Sequence, residues 1–147
     1  MACLDGCIQA KGDGSDLAGY IVTKKQYENF ILDWEWKLSH GGNSGMLYHV
    51  VEDPYFKVPY VTGPEYQLID EEGWEEVNAP TKLEEWQRLG VDYAMHLPDK
   101  AAMQVNPQGE WNNSRISTTT ATSSTGSTVR KFSNSTPTPT SVRIEEA

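Results

Sequence analysis

Nine residues, Phe30-Ile31-Leu32-Asp33-Trp34-Glu35-Trp36-Lys37-Leu38, set the strongest constraint on this chain. Phe30, Leu32, Trp34, Trp36 and Leu38 alternate with Asp33, Glu35 and Lys37. Side chains of a strand point to opposite faces in turn, whereas a helix would scatter these residues around its circumference. The segment is therefore a β-strand with one buried face, and the fold must provide an apolar layer against it.

Neighbouring segments carry weaker forms of the same signal. His40-Gly41-Gly42-Asn43 has turn chemistry, and Ser44 to Val51 reads as a second strand. The two strands are expected to form an antiparallel hairpin. Upstream, Cys7 to Ala10 and Gly19 to Val22 are short strand candidates around a Gly/Asp/Ser loop from Gly12 to Asp16. Downstream, Glu65 to Asp70 alternates again after a loop bounded by Pro54, Pro59 and Pro64. The best helix candidate is Thr81 to Leu89, with Thr81 and Glu84 in capping-box spacing, Arg88 late and Gly90 as a stop. Many short strands and one short helix predict a mainly β sandwich.

Charge then narrows the function. Twelve Lys+Arg face 21 Asp+Glu, a net charge of −9, which excludes a module that binds nucleic acid by neutralising phosphates. No run nears the ~18 apolar residues of a membrane span. Residues 1–116 hold 14 of the 15 aromatics, while residues 117–147 contain 16 Ser or Thr and only Phe132 as an aromatic. The seam predicts a folded part, 1–116, and a disordered Ser/Thr-rich tail, 117–147. Cys3 and Cys7 read as incidental thiols, since no Cys/His cluster accompanies them. Met1 to Gln9 lacks the basic and apolar regions of an export signal.

If Trp34 and Trp36 fill the core, Asp33, Glu35 and Lys37 project outward. On the next strand Met46 and Tyr48 are the better core pair, leaving Asn43, Leu47 and His49 outside. On the third, Tyr66 and Leu68 turn inward and Glu65 and Gln67 outward. Three strands would then present carboxylates, an amine, two amides and an imidazole on one surface. Sugars suit such a groove, because hydroxyls bind amides and carboxylates while C–H faces stack on aromatic rings. A solvated outer face is the plainer reading, normal for an antiparallel sheet. His40 and His96 read as loop residues, and Asp70 to Glu76 as a solvated acidic loop around Trp74.

Longer motifs add a resemblance. D-G-x-I-Q-A-K-G-D-G-S-D-L-x-G-Y (Asp5 to Tyr20), N-F-I-L-D-W-E-W-K (Asn29 to Lys37), G-G-N-S-G-M-L-Y-H-V-V-E (Gly41 to Glu52), V-T-G-P-E-Y-Q-L-I-D (Val61 to Asp70) and G-E-W-N-N-S-R-I (Gly109 to Ile116) resemble the bacterial 3-keto-disaccharide hydrolases, also described as 3-keto-glycoside lyase/hydratases. The resemblance covers residues 5–116 and implies a concanavalin A-like jelly-roll sandwich. It implies cleavage of a 3-keto-glycoside by elimination followed by hydration, and an exported or periplasmic location. That chemistry needs a base, a stabiliser for the enediolate and groups that hold hydroxyls. Glu65 is the preferred base, with His49 and Asp70 as rivals, and Lys37 the preferred stabiliser. Asn43, Glu35 and Gln67 would bind hydroxyls, and Tyr93 or Trp111 would stack on the sugar. No cofactor is specified by the sequence; a divalent metal on His49 and the carboxylates is an option that no spacing demands. Oligomeric state is open. Two other classes stay open: a non-catalytic, lectin-like carbohydrate-binding module on the same fold, and a secreted surface protein with a Ser/Thr stalk.

The resemblance stops at Ile116. The family continues with a strand close to G-H-V-E-H-W-L-N-G, and Met1 to Leu4 cannot supply its usual upstream strand. Codons allowed for Ala121 to Val129, started one nucleotide earlier, permit that same G-H-V-E-H-W-L-N-G sequence. A frameshift after Ile116 is therefore the favoured account of the tail, ahead of a linker or an O-glycosylated stalk. On that account Phe30, Trp34, Trp36, Tyr48, Tyr66 and Leu68 would lack part of their cover. The chain is then expected to fold poorly and show little activity.

Overall fold

A computed structural model describes residues 2–4, 6–10, 19–121, 124–125, 128–130 and 143–146. The expected loop at Gly12 to Asp16 and much of the 117–147 tail lie outside the described residues. In chain order the strands are β1 (Ala2–Leu4), β2 (Cys7–Gln9), β3 (Phe30–Trp36), β4 (Asn43–Leu47), β5 (Glu65–Ile69), β6 (Asn112–Thr118), β7 (Thr120–Ala121), β8 (Ser124–Thr125), β9 (Thr128–Arg130) and β10 (Arg143–Glu146). Helix α1 (Glu71–Val77) follows β5 directly. No helix among the described residues is long and apolar enough to cross a membrane.

Strand β3 keeps the alternation its sequence dictates: Phe30, Leu32, Trp34 and Trp36 are buried, and the residues between them are half-buried. It is one of two inner strands, with β6, of an antiparallel sheet ordered β10-β3-β6-β9. Strand β6 repeats the pattern with Asn112, Ser114, Ile116 and Thr118 inward. Strands β4 and β5 form a separate antiparallel pair. The two layers meet face to face in one core of Phe30, Leu32, Trp34, Trp36, Tyr48, Tyr66, Leu68 and Ile116. Trp34 meets Tyr66 edge-on at 5.2 Å between ring centroids. The Trp36 Nε1–H donates to Ser114 Oγ (2.9 Å), whose hydroxyl donates to Tyr66 Oη (3.1 Å), so a polar chain crosses the core. The aromatic residues expected to lack cover are buried instead, at 2 to 8% exposure. They cover one another across the layers, with Leu32 and Ile116 between them and Ile144 of β10 packed against the cluster.

Several sequence expectations are corrected. Strand β4 does not form a hairpin with β3, because the His40–Asn43 turn carries the chain from one layer to the other. That crossing is held by Asp70, just after β5: Gly41 N–H donates to Asp70 Oδ2 (2.9 Å) and Asp70 N–H to Gly42 O (2.9 Å). Gly41 takes φ +65°, a conformation glycine adopts without strain. Gly19 to Val22 is not a strand, and a three-residue strand not anticipated in the sequence, Ala2–Leu4, pairs with β2.

The helix lies at Glu71–Val77, in the segment expected to be a solvated acidic loop, and Thr81 to Leu89 holds only a 3-10 turn at Glu85–Gln87. Side chains take several backbone donors of this segment. Leu83 N–H donates to Glu75 Oε1 (3.1 Å), Leu89 N–H to Glu71 Oε1 (3.0 Å) and Glu84 N–H to Gln87 Oε1 (3.0 Å). Leu89 N–H is the one of these that a helix would turn to its own carbonyl; the other two belong to a first turn, where side chains commonly cap such donors. Arg88 completes the clasp by donating to Glu71 Oε2 at 2.7 Å. Lys82 and the Leu83 N–H hold the Glu75 carboxyl below the ordinary glutamate range.

Candidate functional site

The outer face of the β4–β5 pair is where polar side chains converge. Its register sets Asn43 opposite Ile69, Gly45 opposite Gln67 and Leu47 opposite Glu65, all on the face away from the core. The segment from α1 to Tyr93 folds over this face. It pairs with the free edge of β5 through Tyr93 N–H to Glu65 O (2.8 Å), Gln67 N–H to Val91 O (3.0 Å) and Gly90 N–H to Gln67 O (3.0 Å). Between face and cover lies a cavity of about 160 Å³ lined by Asn43, Glu65, Gln67, Ile69, Trp74, Leu83, Gln87 and Tyr93. A second, larger cleft of about 500 Å³ is lined by Tyr60, Val61, Thr62, Gly63, Pro64, Glu65, Tyr93 and Met95. Glu65 and Tyr93 line both.

Glu65 is half-buried, and burial raises its carboxyl pKa above the ordinary glutamate value. No basic side chain lines either cavity among the described residues. Gly45 makes room for this carboxylate, since a Cβ there would stand 1.9 Å from Glu65 Oε1. We expect Gly45→Ala to swing the carboxylate toward solvent and return its pKa toward the ordinary value, at little cost in stability. Titration of the Glu65 carboxyl by NMR checks this; an unchanged pKa refutes it.

Tyr93 is oriented by a short relay. Glu84 N–H donates to Gln87 Oε1, which fixes the amide so that Gln87 Nε2 donates to Tyr93 Oη (3.2 Å). The phenol accepts that bond and keeps its own hydrogen for a ligand in the cavity. The Tyr93 ring stands edge-on to Trp86 at 5.1 Å. Gln67 is tied down too, its Nε2 donating to Gln87 O (3.2 Å).

The remaining sequence candidates lie elsewhere. Because β3 belongs to the other layer, Asp33, Glu35 and Lys37 lie on the opposite outer face from Glu65, and the single three-strand surface does not form. Lys37 Nζ sits 4.9 Å from the centroid of the Trp111 ring, so these two candidates meet each other and not the cavity. Asp33 pairs bidentately with Arg115 of β6, at 2.5 and 2.8 Å. His49, at φ +51°, places Nε2 2.9 Å from Glu28 O and 3.3 Å from Thr118 Oγ1, with its ring against Phe30. Asp70 serves the crossing turn. Of the nine candidates, Glu65, Asn43, Gln67 and Tyr93 are brought together.

Among the described residues no three His, Cys, Asp or Glu side chains converge on a point that would hold a metal ion, so the His49-and-carboxylate set is not assembled. Gln87, Trp74, Gly45 and Met95 are site residues that sequence reasoning missed. Two of them carry a local signal: a glycine inside a strand marks a close approach, and Gln87 stands at capping-box spacing from Glu84.

The sequence model of the family described as 3-keto-alpha-glucoside-1,2-lyase-like domain matches residues 2–144, a span that runs past Ile116. A 3-keto-disaccharide hydrolase of Bacteroides thetaiotaomicron is 30% identical over 125 residues, covering 76% of this chain and 42% of that protein. A crystal structure from Parabacteroides distasonis ATCC 8503, described as a glycosyl hydrolase, superposes with a TM-score of 0.58. It is 46% identical, over 71% of this chain and 48% of its own. The chain thus spans less than half the length of either relative.

Proposed function

This chain belongs to the 3-keto-alpha-glucoside-1,2-lyase-like family, and on that premise we propose that it bears the proton-abstracting base of a site cleaving 3-keto-glycosides. The observation that carries the reading is Glu65: a half-buried carboxylate with a raised pKa, on the wall shared by a polar cavity and a larger cleft. A carboxylate raised in this way is a stronger base than an ordinary glutamate, which favours removal of a moderately acidic C–H.

The 3-keto group makes the C2 proton acidic. Glu65 takes that proton, and the electron pair of the C2–H bond spreads onto the 3-oxygen as an enediolate. In place of the expected Lys37, the donors for that oxygen are the Tyr93 hydroxyl and the amides of the cavity. The pair then forms the C1=C2 bond as the C1–O bond breaks, and the leaving alkoxide takes up a proton. Water adds across C1=C2, with hydroxyl to C1 and a proton to C2, so the sum is hydrolysis without a redox change. Asn43 faces the sugar hydroxyls.

Turnover of a 3-keto-glucoside in deuterium oxide tests this. The released 3-keto sugar is expected to carry deuterium at C2, because that proton is removed and replaced. Direct two-carboxylate hydrolysis leaves C2–H intact. Product without deuterium beyond the enzyme-free rate refutes the reading.

A further inference from the structure

Resting on the assignment of Glu65 as base, we propose that the 500 Å³ cleft is the leaving-group subsite and that it takes an apolar, aryl or alkyl aglycone in preference to a second sugar. Its volume falls within the ~300–1,000 Å³ of ordinary ligand sites. It adjoins the polar cavity through Glu65, placed at C2, and Tyr93, placed at the 3-oxygen, so a glycoside held there with C1 toward the cleft would send its aglycone into it.

The two chambers differ in what they offer a ligand. The smaller one carries the amides of Asn43, Gln67 and Gln87. The cleft is walled by Tyr60, Val61, Pro64 and Met95, and Tyr60, Val61 and Met95 are each about 60% exposed. Its polar groups are mostly committed. Thr62 Oγ1 accepts from Val51 N–H (3.1 Å) and donates to Pro59 O (3.4 Å). The N–H groups of Val61, Thr62, Gly63, Tyr93 and Met95 all donate to backbone carbonyls. Apart from Glu65, the side-chain groups left to serve a ligand are the tyrosine hydroxyls. A pyranose entering such a cleft would lose water from several hydroxyls with few bonds in return, whereas an apolar ring loses none. Met95 can shape itself to aglycones of different outline.

The test separates this inference from the assignment it rests on. Wild type and Glu65→Gln are assayed for turnover, and Glu65→Gln is titrated with phenyl 3-keto-glucoside and with a 3-keto-disaccharide while the Met95 methyl resonance is followed. The phenyl compound is expected to bind at least roughly tenfold more tightly, as burial of an apolar group in such a pocket allows, and to shift the Met95 methyl. Val61→Asp in the same background is expected to bring the ratio of the two affinities toward one. Equal or tighter disaccharide binding, or an unmoved Met95 methyl, overturns the inference. Equal turnover of wild type and Glu65→Gln refutes the base assignment and with it the leaving-group role, whatever the affinities.

Discussion

Glu65→Gln is expected to lower kcat/KM on a 3-keto-glucoside by roughly a hundredfold or more, the range a lost general base costs. Glutamine keeps the shape over Gly45 and removes only the basicity, so the loss falls on kcat more than on KM. The wild-type pH profile supports the same test. The raised carboxyl must ionise to act, so the acid limb of kcat/KM should lie above the ordinary glutamate pKa. That limb should vanish in Glu65→Gln.

The same burial gives the substitution an opposite effect on stability. A carboxyl whose folded pKa lies above its unfolded value stabilises the fold fully at pH below the unfolded pKa. It loses that contribution as pH rises through the folded pKa. At neutral pH the ionised Glu65 is therefore a cost of the native state, and Glu65→Gln should melt higher than wild type there. Below the carboxylate range the two should converge. A variant that is slower and no more stable at neutral pH would mean that Glu65 is solvated in the fold.

How far the sequence foretold this arrangement depends on the kind of information asked of it. Period-two alternation assigns faces, and it placed Tyr66 and Leu68 inward with Glu65 and Gln67 outward. It carries no information about which strand is the partner. Strand β4 follows β3 after a short Gly-rich turn, as a hairpin would, yet the turn crosses layers because Asp70, 29 residues from Gly41, holds it there. That one crossing moved Glu35 and Lys37 to the far face and emptied the expected groove of its amine. The helix was misplaced for a related reason. Local propensity favours Thr81 to Leu89, but Leu89 N–H, which a helix would turn to its own carbonyl, is held by Glu71, and that contact lies in tertiary structure. Helix α1 tolerates Gly73 in its interior because nothing larger fits there: a Cβ would stand 2.6 Å from Gly41 N.

Trp34→Ala is expected to destabilise the chain by about 3–5 kcal/mol, the cost of emptying a large aromatic site in a packed core. Trp34 is 3% exposed and stands against Tyr66, which joins the β3 layer to the strand that carries Glu65. Against the ~5–15 kcal/mol of a typical domain, that loss is a large fraction of the total. Two milder substitutions identify the cause. Among the described residues Trp34 Nε1 is buried with no hydrogen-bond partner, so Trp34→Phe keeps an aromatic ring on Tyr66 while discarding an unpaired donor. Trp36→Phe instead breaks the bond to Ser114 and the polar chain to Tyr66, a loss of about 1 kcal/mol for the hydrogen bond beyond the change in ring size. Urea unfolding of all three should rank Trp34→Ala far below Trp36→Phe and Trp34→Phe. Trp34→Ala within about 1 kcal/mol of wild type would mean that the two layers do not press together at Trp34. The β4–β5 face would then lack the rigid backing that fixes Glu65 over Gly45.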